Sequence, residues 1–213
     1  MFVSEDHRFL FVHVQKTGGV TVERRLRELM PDGVTARDTD VERHSRLGTI
    51  LGRHPEYRSY FTFGVVRNPW SRMVSWWRMV ERGRARAAEG DPEAVARLRG
   101  PDPHPFWSGL EQTCPDFETF ILRGTEEWTR LQRPQVDYLM TKDRLPDFVG
   151  RQETLEADLR AVAARFDLPW TPLPSANADP SPPDSHRPYY DDATRTRVGE
   201  LFAKDVAYFG YEF

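Results

Sequence analysis

The chain has one cysteine, three lysines and no long apolar run among its 213 residues. A single thiol, Cys114, excludes an internal disulfide and a cysteine-built zinc site. It points to a reducing, cytoplasmic compartment. No stretch approaches the roughly 20 apolar residues of a membrane helix. The first residues, MFVSEDHRFLFVHVQKTGG, carry early acids and only a six-residue apolar run, so they do not read as a secretory signal. An excess of charge of one sign is also missing. Thirty basic and 33 acidic residues give a net charge of −3, so bulk attraction to nucleic acid is not expected. No internal repeat is visible.

What is present describes a globular chain. Hydrophobic residues make up 38% and aromatics 12%, with six Trp and thirteen Phe, a load that a disordered chain does not carry. The length suits a single domain over 1–213. Charged residues reach 30% and the mean hydropathy is −0.66, which leaves room for solvated loops. Only Lys16, Lys142 and Lys204 among the 30 basic residues are lysines, so 27 are arginines. Composition bias alone explains such a count, and oxyanion chemistry is the sharper explanation.

The pattern along the chain alternates strands and helices. Phe9–Val14, FLFVHV, is almost continuously apolar, as expected for a strand buried on both faces. A helical pattern follows from about Val20 to Met30, and a weak one covers Asp40–Gly52. Tyr60–Val66 reads as a second strand, and Pro69 opens a helix with Met73, Trp76, Trp77 and Val80 on one buried stripe. Residues 82–105 shift to Arg, Ala, Gly and Pro and read as a partly helical insertion or lid. A short helix is expected at Pro115–Leu122, a strand at Asp147–Arg151, a helix at Glu153–Phe166, a loop over Leu168–Pro188 and a last helix from about Asp191. Two strand–loop–helix units argue for an α/β fold of three α/β/α layers around a mostly parallel sheet. Ligands of such sheets bind at the carboxyl ends of the strands.

Two loops sit at those ends. In the first, Gln15–Thr21, glycines let backbone N–H groups approach an anion, and the following helix adds positive potential. Lys16 contributes a charge, and Thr17 and Thr21 contribute hydroxyls. The lysine precedes the glycines, so this is not the Walker order. In the second, VRNPWSRMVS at 66–75, Arg67 ends a strand and Asn68 caps the helix opened by Pro69. Arg67 with Ser75 offers a second anion clamp. Either loop alone reads equally well as an ordinary turn or cap. Together they suit a ligand with anionic groups at both ends.

K-T-G-G after an apolar strand, followed by V-R-N-P-W-S-R-M-V-S, resembles the sulfotransferase superfamily, and most closely its carbohydrate-type branch, which includes many small bacterial members. FVGRQETL at Phe148–Leu155, the loop of Asn177 and the ending LFAKDVAYFGYEF at Leu201–Phe213 extend the resemblance over most of the chain, residues 82–105 excepted. Three positions at two places depart from the family pattern: Gln15 stands where the family has Pro, and Val20-Thr21 where it has Thr-Ser. The resemblance implies 3′-phosphoadenosine 5′-phosphosulfate (PAPS) as co-substrate and no metal. It implies that Lys16, Thr17, Gly18, Gly19, Val20 and Thr21 form the 5′-phosphosulfate loop, and that Arg67 and Ser75 hold the 3′-phosphate.

In-line sulfuryl transfer asks for charge neutralisation at the leaving oxygen, a task for Lys16, and for a base on the acceptor hydroxyl. His44 is the chosen base among six histidines, because the family often carries its base between the two motifs. Glu42 and Glu153 are alternatives, and His13, in the strand, reads as structural. Arg151 and Arg187 read as surface arginines with a possible anion role, Tyr189 and Tyr190 as core or donor contacts. The expected activity is sulfation of a hydroxyl on a carbohydrate or small natural product. The competing readings are a non-catalytic nucleotide or sulfated-glycan binder and a P-loop-type kinase.

Overall fold

The computed structural model describes residues 1–173 and 185–213. They fall into two compact units. One is Met1–Arg67 with the segment that begins at Gln135, and the other is Asn68–Pro134 with the C-terminal segment ending at Phe213. In chain order the strands are β1 Phe2–Ser4, β2 Phe9–Val12, β3 Val34–Thr35, β4 Phe61–Val66 and β5 Phe148–Arg151. The longer helices are α1 Gly19–Leu29, α2 Leu47–Arg53, α3 Pro69–Ala88, α4 Pro92–Arg99, α5 Pro105–Thr113, α6 Leu155–Arg165, α7 Asp192–Leu201 and α8 Ala203–Phe209.

The first unit holds a five-stranded sheet of order β3-β1-β2-β4-β5. β2, β4 and β5 run parallel, whereas β1 is antiparallel to both β2 and β3. The sheet is therefore mixed. Its antiparallel edge escapes a sequence reading because β1 and β3 have three and two residues, too few to show a period. The continuous apolar run of β2 has the expected cause, burial on both faces. Phe9, Phe11, Phe63 and Val65 meet Val22 and Leu26 of α1, Met30 just past its end, and Leu159 and Val162 of α6 in one core. On the opposite face Gly64 leaves room for Leu139, whose Cδ2 would lie 2.4 Å from an added Cβ. Leu139 belongs to the helical turn Val136–Leu139, against which α2 packs. Helices thus cover both faces. The weak helix expected over Asp40–Gly52 is shorter than its pattern: residues 40–46 form a loop and only α2 is helical.

In the second unit α3 begins as anticipated. Asn68 Oδ1 accepts from the N–H groups of Trp70 and Ser71 at 3.0 and 3.2 Å, and Pro69 occupies the first helical position. Met73, Trp76, Trp77 and Val80 are buried with Phe106, Leu110, Phe120 and Phe202. Residues 82–105 are partly helical. Arg82–Ala88 continue α3, and Asp91 caps α4 by accepting from Ala94 N at 2.9 Å. Ala87, Ala94 and Leu98 bury a small cluster beside Trp107. The helix expected at Pro115–Leu122 is a short turn, Phe117–Thr119, that widens into a π turn over Phe120–Gly124. The last helix is two helices, α7 and α8, divided at the buried Phe202. Among the described residues no helix is long and apolar enough to cross a membrane.

Candidate functional site

The first loop departs from helix and strand geometry at two places. The backbone is left-handed at Lys16 (φ 67) and again at Gly18 (φ 83). A left-handed non-glycine residue costs on the order of 1–2 kcal/mol, and strain of this kind collects at functional sites. Thr17 is fully buried, and its hydroxyl donates to Val14 O at 3.0 Å, pinning the turn. Gly18 is the N-cap of α1 and supplies no side-chain acceptor, and no acid stands in the helix's first turn. The opening N–H groups of α1 are therefore without the usual side-chain partner, and they carry the positive end of its dipole. Val20 is exposed and Thr21 half-buried.

Gly19 is glycine for a separate reason. A Cβ there would lie 2.1 Å from His13 Nε2. The His13 ring, buried at the end of β2, occupies the space beside the helix start.

The second loop leaves β4 at Arg67, which is buried. Its backbone is held by Gln135, a fully buried side chain. Arg67 N–H donates to Gln135 Oε1 at 2.9 Å, and Gln135 Nε2 donates to Arg67 O at 2.8 Å. One amide thus replaces a neighbouring strand where β4 runs out. β2 and β4 are adjacent and parallel, with Phe9 opposite Phe61 and Val12 opposite Gly64. The Lys16 loop and Arg67 accordingly leave the same edge of the sheet from neighbouring strands, which lie about 5 Å apart in any sheet. Arg151, exposed at the end of β5 and paired in register with Val66, leaves the same edge. Ser75 is half-buried on α3, in the second unit.

His44 sits in the loop between α1 and α2, half-buried beside His13. The two rings meet edge to face with centroids 4.6 Å apart. His44 Nδ1 lies 3.1 Å from His13 O. A carbonyl only accepts, so Nδ1 carries the proton and Nε2 keeps its lone pair. Burial, reinforced by His13, lowers the His44 pKa to about 4, and the ring is neutral near pH 7. His13 Nδ1 is 2.7 Å from Glu23 Oε1, and burial lowers its pKa too. Glu23 Oε2 accepts from Arg43 at 2.5 Å, and the amine of Met1 donates to Glu23 Oε1 at 3.3 Å and to Arg43 O at 2.7 Å. Burial would raise the Glu23 pKa, but the hydrogen bonds and charges of His13 and Arg43 outweigh it and hold the carboxyl at about 2.

Glu23 therefore ties the strand end before the Lys16 loop to the segment that carries His44. Sequence reading singled out neither Glu23 nor Arg43 nor Gln135. Glu23 had one legible signal, an acid breaking the apolar face of α1 on the same side as Val22 and Leu26. Gln135 had none. His13, read as structural, is buried as expected and stands in the same cluster as His44. Of the alternative bases, Glu42 and Glu153 are exposed.

Several candidates have structural duties in the second unit. Tyr190 is half-buried, its hydroxyl donates to Trp70 O at 2.8 Å, and desolvation of the ring hydroxyl raises its pKa well above 10. Arg187 lies 5.2 Å over the Phe213 ring and donates to Phe213 O. Two arginines of the 82–105 stretch are engaged as well: Arg84 donates to Leu110 O at 3.0 Å and sits over Trp77, and Arg86 pairs with Asp91. Asn177 lies outside the described residues.

A strained lysine loop, an uncapped helix start and a buried arginine at one sheet edge can hold anions. A neutral histidine with a free Nε2 beside them can accept a proton. The model described as "Sulfotransferase family" matches residues 1–212. No curated protein and no solved structure matches the chain significantly.

Proposed function

The chain belongs to the sulfotransferase family, and from that premise we propose which residues carry its reaction. Family membership implies PAPS-dependent sulfuryl transfer to a hydroxyl-bearing acceptor. The residues present suit such a donor: a loop that is left-handed at two positions and a helix start without a side-chain cap form a cradle for a phosphosulfate. When bound, PAPS supplies an activated sulfuryl group on a phosphate leaving group.

In this proposal the Lys16 ammonium and the N–H groups of Thr17 through Thr21 hold the 5′-phosphosulfate. Val20 takes part through its N–H, since it has no hydroxyl, and Thr17 likewise, since its hydroxyl serves Val14. Lys16 neutralises charge that builds on the leaving oxygen. Arg67 binds the 3′-phosphate by its guanidinium fork, and the resemblance adds Ser75 to that group. His44 Nε2 takes the proton of the acceptor hydroxyl. An anionic donor next to His44 raises its pKa from the low value of the free protein, which makes it a stronger base when the donor is in place. Glu23 and His13 position His44 and touch no reacting atom. The acceptor is a carbohydrate or a small natural product.

The observation that carries this reading is the common edge. The Lys16 loop and Arg67 follow adjacent parallel strands of one sheet, as binding of one doubly anionic nucleotide requires. The test has two parts. Adenosine 3′,5′-bisphosphate should raise the melting temperature more than ATP with Mg²⁺, and labelled sulfate should pass from PAPS to members of a hydroxyl acceptor panel. Equal stabilisation by ATP contradicts the donor assignment. Nucleotide binding without transfer to any acceptor marks a non-catalytic binder.

A further inference from the structure

A cavity of about 670 Å³ opens on the first unit along α1, lined by Val20, Glu23, Arg24, Arg27, Arg37 and Arg43 with Thr35 and Ala36 behind them. Its volume is in the range of small-ligand sites. One end is Val20, the residue after Gly19, and Arg43, the residue before His44. From there to Arg27 the helix advances about 10 Å.

The charges around this cavity are unbalanced. Many arginines of this chain sit against an acid, among them Arg25 with Glu28, Arg84 with Glu81, Arg86 with Asp91, Arg97 with Glu93, Arg99 with Glu111 and Arg123 with Glu127. Among the described residues, Arg24, Arg27 and Arg37 have no carboxylate within ion-pair distance, although 33 acids are present in the chain. Glu23 is the one acid in the lining, and Arg43 and His13 already engage it. Asp38 lies near Arg27 and Arg37, but its carboxylate accepts from Thr35 N and Oγ1 at 3.1 Å each. Arg27 donates to the Thr35 hydroxyl at 3.4 Å. Three cations thus face one concavity with no fixed anion of their own. A merely solvated arginine face would not be concave, and this cavity begins at the chain neighbours of Gly19 and His44.

We infer that this cavity is the acceptor site, and that the acceptor carries carboxylate, sulfate or phosphate groups in addition to the hydroxyl to be sulfated. The hydroxyl lies at the Val20–His44 end, and the anionic groups lie along Arg24, Arg27 and Arg37. Guanidinium forks recognise such oxyanions bidentately. The inference rests on the reading of the Lys16 loop as the donor site.

The probes are trigalacturonic acid and its neutral methyl ester, titrated calorimetrically into protein saturated with adenosine 3′,5′-bisphosphate. Saturation keeps the acid out of the nucleotide site. The acid should bind at least tenfold more tightly than the ester, with a preference that shrinks as salt rises. The triple variant R24A/R27A/R37A, made at exposed positions, should lose at least tenfold in affinity for the acid and keep its affinity for the bisphosphate. Equal affinity for acid and ester, binding of neither, or an unchanged triple variant overturns the assignment. Failure of the bisphosphate itself to bind is a different result: it removes the donor-site reading, and the acceptor site falls with it.

Discussion

Replacing Glu23 by Gln tests the hub of the histidine cluster. The carboxylate is 5% exposed and is shared by His13, Arg43 and the Met1 amine. Its pKa of about 2, against an ordinary 4.5, corresponds to roughly 3 kcal/mol of folded-state stabilisation. A group with a depressed folded-state pKa contributes fully above its unfolded value and loses the contribution as pH falls through the folded one. The contribution is therefore intact at pH 7 and at pH 5, and fades only between 4.5 and about 2. Gln keeps the size but removes the charge, and its amide NH₂ must face a donor. Urea unfolding should show E23Q less stable than wild type by about 3 kcal/mol at pH 7, with the gap still open at pH 5 and narrowing below 4.5. The control is Glu28→Gln, which removes an ion pair with Arg25 whose acid is 53% exposed and should cost no more than about 1 kcal/mol. A loss from E23Q no larger than that of the control, or a gap that has already closed at pH 6, would refute the reasoning.

Four further outcomes follow from the same geometry. Gly19→Ala puts a Cβ 2.1 Å from a ring that Glu23 holds in place, so it should lower stability by about 2 kcal/mol or more and weaken binding of adenosine 3′,5′-bisphosphate, as thermal shift would show. Gln135→Leu strips both backbone partners from Arg67 and should cost about 2–4 kcal/mol in urea unfolding, with a loss of 3′-phosphate affinity that Gln135→Glu partly restores through its remaining acceptor. His44→Ala should cut labelled sulfate transfer by about 10²–10⁴ and spare nucleotide affinity. In wild type kcat/KM should hold from pH 8 down to about 5 and fall as pH drops through the free-protein value of about 4, because protonated His44 has no lone pair to offer.

Much of the fold was legible because its signals were local. The apolar run of β2, the Pro69 start of α3 with its Asn68 cap and the Trp76–Trp77 stripe each declare themselves within a few residues, and the structure has all three. The antiparallel edge was not legible, since β1 and β3 form by pairing across the chain and have no period of their own. The helix proposed around His44 failed because a weak apolar rhythm does not outweigh loop contacts: His44 is held by His13 O, a partner 31 residues away. The site divided in the same way. Lys16 and Arg67 announced themselves through glycine, proline and strand ends. Glu23, Arg43 and Gln135 act through long-range contacts, and such contacts leave no mark on sequence spacing.

Central to the account is one nucleotide held at both ends by two loops of a single sheet edge. Calorimetric titration of adenosine 3′,5′-bisphosphate, 5′-AMP and 3′-AMP into wild type, Lys16→Ala and Arg67→Ala tests it most directly. Lys16→Ala should weaken the bisphosphate and 5′-AMP but not 3′-AMP, whereas Arg67→Ala should weaken the bisphosphate and 3′-AMP but not 5′-AMP. If either variant weakens all three ligands alike, or leaves the bisphosphate unaffected, the two loops do not grip opposite ends of one ligand.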